Sequence, residues 1–199
     1  MEDSELPVPD HELVAISSTV VYKNRWMKVR EDKTLRHDGV QGIYGVIEKP
    51  DFALVIPYVN GGFHLVEQYR YAAQGRFWEF PQGAWEIRSD VDPMELARGE
   101  LAEETGLTAG AMTAIGYLFE AYGYCEQGFN IILATDLTAG EPDLDEEESG
   151  LITRWFSEGD VWQLVADGRL RDAATVAALA LFQRYRDEHP ERFALRNGR

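Results

Sequence analysis

The segment from Asp92 to Gly106, DPMELARGELAEETG, carries signals for both the start and the end of an α-helix. Asp92 is a preferred capping residue, Pro93 suits the first helical position, and Glu95 completes a capping-box arrangement. Gly106 is the expected terminator. A buried stripe is predicted at spacings of three and four: Met94, Ala97, Leu101 and Thr105. A well-bounded amphipathic helix among strand-like segments favours an α/β fold.

The strand-like segments lie on both sides of this helix. Residues 18–32 predict two strands broken near Asn24-Arg25, and a third follows a turn at Asp38-Gly39, which together indicate a small antiparallel N-terminal sheet. Residues 52–71 form a predicted hairpin around Asn60-Gly61. FWEFPQG is a further extended run. After the helix, three strands and two helices are predicted: AIGYLFEAYGY, FNIILATDL, LITRWFS, EGDVWQLVADG and AATVAALALFQRYRDEH.

Composition narrows the class of protein. The net charge of −16 argues against nucleic-acid binding, which needs a basic surface. No apolar run approaches the roughly 18 residues that a membrane helix needs. A single cysteine, Cys125, excludes an internal disulfide and fits a reducing cytoplasm. The acidic N-terminus is unlike a signal peptide, and we expect a loose tail at 1–17, a sheet subdomain at 18–48 and a main domain at 49–199.

The predicted helix carries Glu100, Glu103 and Glu104 within five residues, on one side of the apolar stripe at the edge between core and solvent. Like charges at helical spacing repel by a few tenths of a kcal/mol per pair. Either this face is simply solvated, or a multivalent cation stabilises it. Glu100 and Glu104 are one turn apart on the same side, as two Mg²⁺ ligands must be, and Glu103 lies on the neighbouring row. From these residues alone, both interpretations remain open.

The residues from Pro81 to Leu107 resemble the Nudix box, the signature of hydrolases that act on nucleoside diphosphates linked to another group. The match is clearest in Gly99-Glu100-Leu101-Ala102-Glu103-Glu104-Thr105-Gly106-Leu107. Two departures are visible. Glycine at position 99 replaces the arginine of the family pattern, and the spacing after Gly83 is about two residues longer. Val91 therefore stands where the first glutamate of the box is expected, with Glu86 or Asp90 as substitutes.

The resemblance extends over roughly residues 18–165. Gln68-Tyr69-Arg70, Trp78-Glu79-Phe80-Pro81 and the extra N-terminal sheet are similar to the ADP-ribose pyrophosphatase branch of the family. One departure concerns the substrate, because Ala121-Tyr122-Gly123 replaces the Ser-Pro-Gly-like segment of that branch. The resemblance implies an α/β/α sandwich with a mixed central sheet, the Glu-rich helix on one side and the C-terminal helix on the other.

The resemblance also implies a set of site residues. The metal ligands would be Glu100, Glu103, Glu104 and the backbone carbonyl of Gln82, with Mg²⁺ as the ion and Mn²⁺ as an alternative. Glu103 and Glu104 would also be catalytic. A general base is expected in the acidic loop at 141–150, where Glu147 is favoured over Glu146 and Glu148, and a solvated turn is the alternative for each.

Substrate contacts are implied for Arg70, Glu79 and Arg30. Arg70 would bind a substrate phosphate, although an ion pair with Glu79 is an equal alternative; Arg30 would reach a partner subunit's site in a homodimer. Trp26, Tyr44 or Phe129 could stack on a base, but each is more often a core residue.

The expected reaction is Mg²⁺-dependent cleavage of a nucleoside diphosphate sugar such as ADP-ribose. One rival is another diphosphate substrate, such as a dinucleoside polyphosphate or a GDP-sugar. A rival of another class, suggested by Gly99, is a Nudix-like module that senses a nucleotide sugar without cleaving it.

Overall fold

The structure is a computed structural model, and it describes residues 12–85, 91–140 and 150–193. These residues form ten strands and four α-helices. In chain order they are β1 (Leu13–Lys23), β2 (Lys28–Arg36), β3 (Gln41–Glu48), β4 (Phe52–Val59), β5 (Gly62–Arg70), β6 (Gly75–Glu79), β7 (Gln82–Gly83), α1 (Pro93–Thr105), β8 (Leu107–Phe119), β9 (Gly128–Ala139), β10 (Ile152–Ser157), α2 (Glu158–Ala166), α3 (Ala173–Glu188) and α4 (Pro190–Phe193).

The first compact unit comprises the residues up to Pro50 together with 119–128. Its core is the predicted antiparallel sheet, in the order β1-β2-β3. Both predicted breaks are confirmed. The Asn24 side chain accepts hydrogen bonds from the backbone N–H groups of Trp26 and Met27 at 2.9 and 2.8 Å, and Gly39 takes a positive φ of 82°.

The first strand is longer than predicted. β1 starts at Leu13, where Leu13 pairs with Arg36 and Val14 with Leu35, so residues 13–17 extend the sheet and are not part of a loose tail. The reason is that β2 is long enough to offer pairing partners to these residues. Residues 1–11 lie outside the described chain, and the predicted boundary between the sheet subdomain and the main domain at 48 stays a prediction.

The second unit comprises residues 51–118 and 129–199, apart from the undescribed segments. Its sheet has the order β10-β5-β4-β9-β8, with β6 added on β5 and β7 on β4. β4 and β9 are parallel, whereas β5 pairs antiparallel with β4, β6 and β10. The predicted mixed sheet is therefore confirmed. The hairpin turn is also where the sequence indicated, with φ of 51° at Asn60 and 73° at Gly61.

Successive residues of β4 and β9 face opposite sides of this sheet, because side chains alternate along a strand. One set packs under α1: Ala53, Val55, Ile132, Ala134, Leu96, Ala97 and Leu101. The other set packs under α2 and α3: Leu54, Ile56, Ile131, Leu133, Val161, Leu164, Ala178, Leu179 and Phe182. Helices thus cover both faces, which confirms the predicted α/β/α sandwich.

The described helices are all too short or too polar to cross a lipid bilayer.

Candidate active site

Helix α1 forms as its local signals predicted. The Asp92 side chain accepts a hydrogen bond from the backbone N–H of Met94 at 3.0 Å, Pro93 opens the helix, and Gly106 ends it in the left-handed conformation. The apolar face differs slightly from the predicted stripe, because Leu96 is buried and Met94 only partly so.

The glutamates of α1 are more buried than was predicted for residues at the edge of the apolar stripe. Glu100 is 5% exposed and Glu104 is 2% exposed, whereas Glu103 is half-buried. A buried carboxylate is costly unless it has hydrogen-bond partners or a cation. Within the described chain this excludes a simply solvated acidic face for Glu100 and Glu104.

The loop at Pro81–Gly83, which includes the two-residue strand β7, lies against these two carboxylates. The backbone N–H of Gln82 donates to Oε2 of Glu104 at 3.3 Å, and the carbonyl of Pro81 accepts from the N–H of Val55 on β4 at 2.9 Å. Gly83 permits the approach, since a Cβ there would lie 2.4 Å from Oε2 of Glu100. The sequence correctly indicated that Gln82 lies beside the helix carboxylates, and the ligand role of its carbonyl stays a prediction.

Trp85 explains the glycine inside the helix. A Cβ added at Gly99 would lie 2.4 Å from Cζ2 of the Trp85 indole, so this helix surface is open for the ring to pack on it. Where the family pattern has an arginine, this chain has a glycine on which an aromatic residue from the preceding loop packs. Sequence reasoning missed Trp85, although a tryptophan close to an unusual helix glycine was the available signal.

Arg70 and Glu79 form an ion pair between β5 and β6. The Arg70 guanidinium donates to both carboxylate oxygens of Glu79, through Nε at 3.1 Å and through Nη2, and Gln68 Nε2 donates to the same carboxylate at 2.9 Å. The Glu79 side chain is almost fully buried, whereas that of Arg70 remains 43% exposed. The predicted alternative of an ion pair is present, and a phosphate contact by the exposed part of Arg70 stays a prediction.

The electrostatics of this pair extend to other carboxylates. Burial raises the pKa of Glu79 and the charge of Asp172 adds to this, while Arg70 and Gln68 oppose it. Burial disfavours the charged form of Arg70, but Glu79, Glu104 and Asp172 outweigh it and raise the pKa of Arg70. Because the guanidinium stays charged and donates two hydrogen bonds, we treat Glu79 as a carboxylate.

The N-terminus of α3 contacts the same loop. Oδ2 of Asp172 accepts from the N–H of Thr175, which caps the helix, and also from Nε2 of Gln82 at 3.1 Å. Oγ1 of Thr175 in turn accepts from the N–H of Phe80 at 2.9 Å. Sequence reasoning missed both residues, because no local pattern indicates that residues about ninety positions apart meet.

The remaining predicted residues have contacts of their own or lie outside the described chain. Arg30 lies on β2, where Nε is 3.1 Å from Glu48 Oε1 and Nη1 is 3.6 Å from Asp32 Oδ2. Phe129 is buried and stacks on Phe52 with ring centroids 4.8 Å apart, so it is a core residue and cannot stack on a base. The predicted bases Glu146, Glu147 and Glu148, and the substitutes Glu86 and Asp90, lie outside the described residues.

The residues at α1 fit a divalent cation by their chemistry. Mg²⁺ takes oxygen ligands, keeps several waters, and uses one or two carboxylates together with substrate phosphates. Two buried carboxylates face a loop backbone here, and the buried Oε1 of Gln82 has no hydrogen-bond partner in the part of the chain that the structure describes. Within that part, no three His, Cys, Asp or Glu side chains form a ready-made metal group. The joint role of Glu100, Glu103 and Glu104 therefore stays a prediction.

The fold and the site define an α/β/α protein whose acidic helix faces a loop that pairs with β4. Two family models match this chain: a nucleoside diphosphate sugar hydrolase N-terminal domain over residues 15–47, and a NUDIX domain over residues 49–179. The second match covers well over half of the chain. The chain therefore belongs to the Nudix family, and it is a Nudix pyrophosphohydrolase.

Individual relatives agree with this family. The chain is 26% identical over 158 residues to the ADP-ribose pyrophosphatase of Bacillus subtilis (strain 168), a match that covers 78% of each protein. Among solved structures it is similar to a protein described as an ADP compounds hydrolase, with a TM-score of 0.79 and 22% identity. That match covers 90% of this chain and 96% of the other, and it supports the fold.

Proposed function

We propose that this Nudix enzyme hydrolyses the diphosphate of a nucleoside diphosphate sugar of the ADP-ribose type, with Mg²⁺ or Mn²⁺ as the ion. The observation that carries the proposal is the pair of buried carboxylates, Glu100 and Glu104, held against the Gln82 loop in a chain that also matches the nucleoside diphosphate sugar hydrolase N-terminal domain. The 26% identity to a Bacillus subtilis ADP-ribose pyrophosphatase supports the substrate class.

The reaction needs a water nucleophile and a place for its proton. Water adds to one phosphorus, the bond from that phosphorus to the bridging oxygen breaks, and the bridging oxygen leaves on the second phosphate. A bound divalent ion neutralises the phosphate oxygens and activates water. The proton passes to a carboxylate of the acidic loop, for which we propose Glu147, with Glu146 and Glu148 as alternatives.

The protein groups have separate tasks in this scheme. Glu100, Glu104 and the carbonyl of Gln82 would hold the ion, and Glu103 would complete the acidic group. The exposed part of the Arg70 side chain would contact a substrate phosphate, while Glu79 keeps the guanidinium in place through two hydrogen bonds.

The same architecture supports a homodimer as the working form. The N-terminal sheet exposes apolar side chains: Val20 is 52% exposed and Val21 is 59% exposed. Since neighbours on a strand face opposite sides of a sheet, these two side chains need not lie on one face. Exposed apolar surface of this kind is typical of an interaction face. We propose that a second copy covers it, and that Arg30 contributes to the partner's site. The reducing cytoplasm predicted from Cys125 is the proposed location.

The test of the substrate is a panel of diphosphates assayed with Mg²⁺: ADP-ribose, a GDP-sugar and a diadenosine polyphosphate. We expect ADP-ribose among the fastest, with AMP and ribose 5-phosphate as products. If ADP-ribose is among the slowest, this choice of substrate is wrong. The rival diphosphates are then the better candidates, in keeping with the exposed Tyr122 in the segment that departs from the family pattern.

The same panel, together with calorimetry, tests whether the protein is a sensing module that binds a nucleotide sugar without cleaving it. Tight binding of ADP-ribose in calorimetry, with no turnover at any Mg²⁺ or Mn²⁺ concentration, would favour a sensor. The glycine at position 99 first suggested that alternative, and its contact with Trp85 gives the glycine a packing reason instead.

A further inference from the structure

We propose that Asp172 and Thr175, at the N-terminus of α3, are positioning residues that fix the loop Phe80–Gly83 against the carboxylates of α1. This inference builds on the proposed function, because it assigns that loop to the metal site. It concerns residues that follow the Nudix box by more than sixty positions, on the helix that packs on the other face of the sheet.

The backbone of the loop is tied to three different elements. The N–H of Phe80 donates to Thr175 Oγ1 on α3, the carbonyl of Pro81 accepts from Val55 on β4, and the N–H of Gln82 donates to Glu104 on α1. Thr175 is fully buried. The Pro81 carbonyl is paired with β4 within the sheet. The hydrogen bonds to the side chains of α3 hold the loop from the side of the sheet opposite α1.

Asp172 also determines the orientation of the Gln82 side chain. A carboxylate only accepts hydrogen bonds, so the Gln82 amide must turn its NH₂ group towards Asp172, and its oxygen faces away. That oxygen is the buried Oε1 that has no hydrogen-bond partner among the described residues. Asp172 therefore leaves an acceptor oxygen available next to the backbone that is proposed to hold the ion.

One oxygen atom of Asp172 accepts both hydrogen bonds, and suitable substitutions can separate its capping role from its loop contact. Oδ2 accepts from Thr175 N at 2.7 Å, the helix cap, and from Gln82 Nε2, the loop contact. Serine caps helices about as well as aspartate but is shorter, so Asp172→Ser keeps the cap and breaks the loop contact. Asp172→Asn keeps an acceptor of the same length for both bonds and removes the charge.

The experiment is a Mn²⁺ titration of the free protein, followed by electron paramagnetic resonance, with thermal unfolding of each variant alongside. Partners that orient metal ligands contribute about 10- to 100-fold to metal affinity. We expect Asp172→Ser and Gln82→Ala each to weaken Mn²⁺ binding by about tenfold, and the double variant to be no weaker than either. Asp172→Asn should stay within about threefold of the wild type. Thr175→Val should weaken binding, and Thr175→Ser should restore it.

Ser157 provides the matched control. It caps α2 through bonds that remain within that helix, so Ser157→Ala should lower the unfolding temperature without changing Mn²⁺ affinity. If Asp172→Ser and Gln82→Ala are folded and bind Mn²⁺ like the wild type, the positioning proposal is wrong. If Asp172→Asn is as weak as Asp172→Ser, charge is responsible and hydrogen-bond positioning is again excluded.

The outcomes distinguish this proposal from the proposed function. A wild type that binds Mn²⁺ but cleaves no diphosphate contradicts the function, while the variants still decide the positioning. If the wild-type protein cleaves diphosphates but binds no Mn²⁺, the proposal that Asp172 and Thr175 position a metal-binding loop is contradicted. Should Asp172→Ser fail to fold, Gln82→Ala and the Thr175 pair give the decision.

Discussion

The Trp85 indole and the bare helix surface at Gly99 form one packing unit at the scale of single residues. Glycine inside a helix costs about 1 kcal/mol relative to alanine, so an unexplained Gly99 would be a weakness in α1. The ring contact gives the reason, because a Cβ at this position would lie 2.4 Å from the indole. The same loop then carries Gln82 and Gly83 to the carboxylates of the helix.

This contact predicts a change of sign between two backgrounds. In the wild type, Gly99→Ala should destabilise the protein, because the new methyl group displaces the indole. In the Trp85→Ala background the same substitution should stabilise it by about 1 kcal/mol, the ordinary helix-propensity gain. Urea unfolding of the four proteins in this cycle measures both effects. Stabilisation by Gly99→Ala of similar size in both backgrounds would show that the indole does not restrict position 99.

At the scale of elements, the N-terminal sheet differs from the central one in how little of it is covered. Helices pack on both faces of the central sheet, whereas β1 is exposed over most of its length. Ile43 on β3 is 70% exposed. A small sheet needs a buried apolar face, or packing against a helix, for independent stability, which is why a second copy of the chain is proposed to cover these exposed side chains.

Sedimentation velocity tests this element directly. We expect the wild type to sediment at twice the chain mass of 22.6 kDa, and Ile43→Lys to shift towards the monomer, since a charge in an apolar interface loses its hydration. Gln163→Lys, an exposed position on α2, is the control that should remain dimeric. A wild type that is monomeric at its highest soluble concentration would rule out the dimer.

At the scale of the whole molecule, the sequence predicted what local signals determine. The caps of α1 and the Asn60-Gly61 turn each depend on neighbouring residues, and both were confirmed. The resemblance to the Nudix box then placed Gln82 beside the helix. The extent of β1 was wrong because pairing partners, not its own composition, determine where an edge strand begins.

The rest of the site depends on contacts between distant residues. The bond between Phe80 and Thr175 joins residues 95 positions apart, and no periodicity indicates such a pair. The burial of Glu100 and Glu104 follows from the loop that covers them, so a helical pattern alone placed them too near solvent. For Phe129 the sequence left base stacking open beside the favoured core role, and its partner Phe52 on the adjacent strand makes it part of the core.

The most direct measurement of the central claim, that Glu104 works with a divalent ion on a diphosphate, is the turnover of Glu104→Gln. This variant keeps an acceptor oxygen for the Gln82 N–H and removes the charge, so the fold should be retained while kcat falls by about a thousandfold, the scale of losing one charge-stabilising group. Glu95→Gln, exposed on the first turn of the same helix, should match the wild type. A loss of about tenfold or less for Glu104→Gln, only about 1.4 kcal/mol of transition-state stabilisation, would contradict the account.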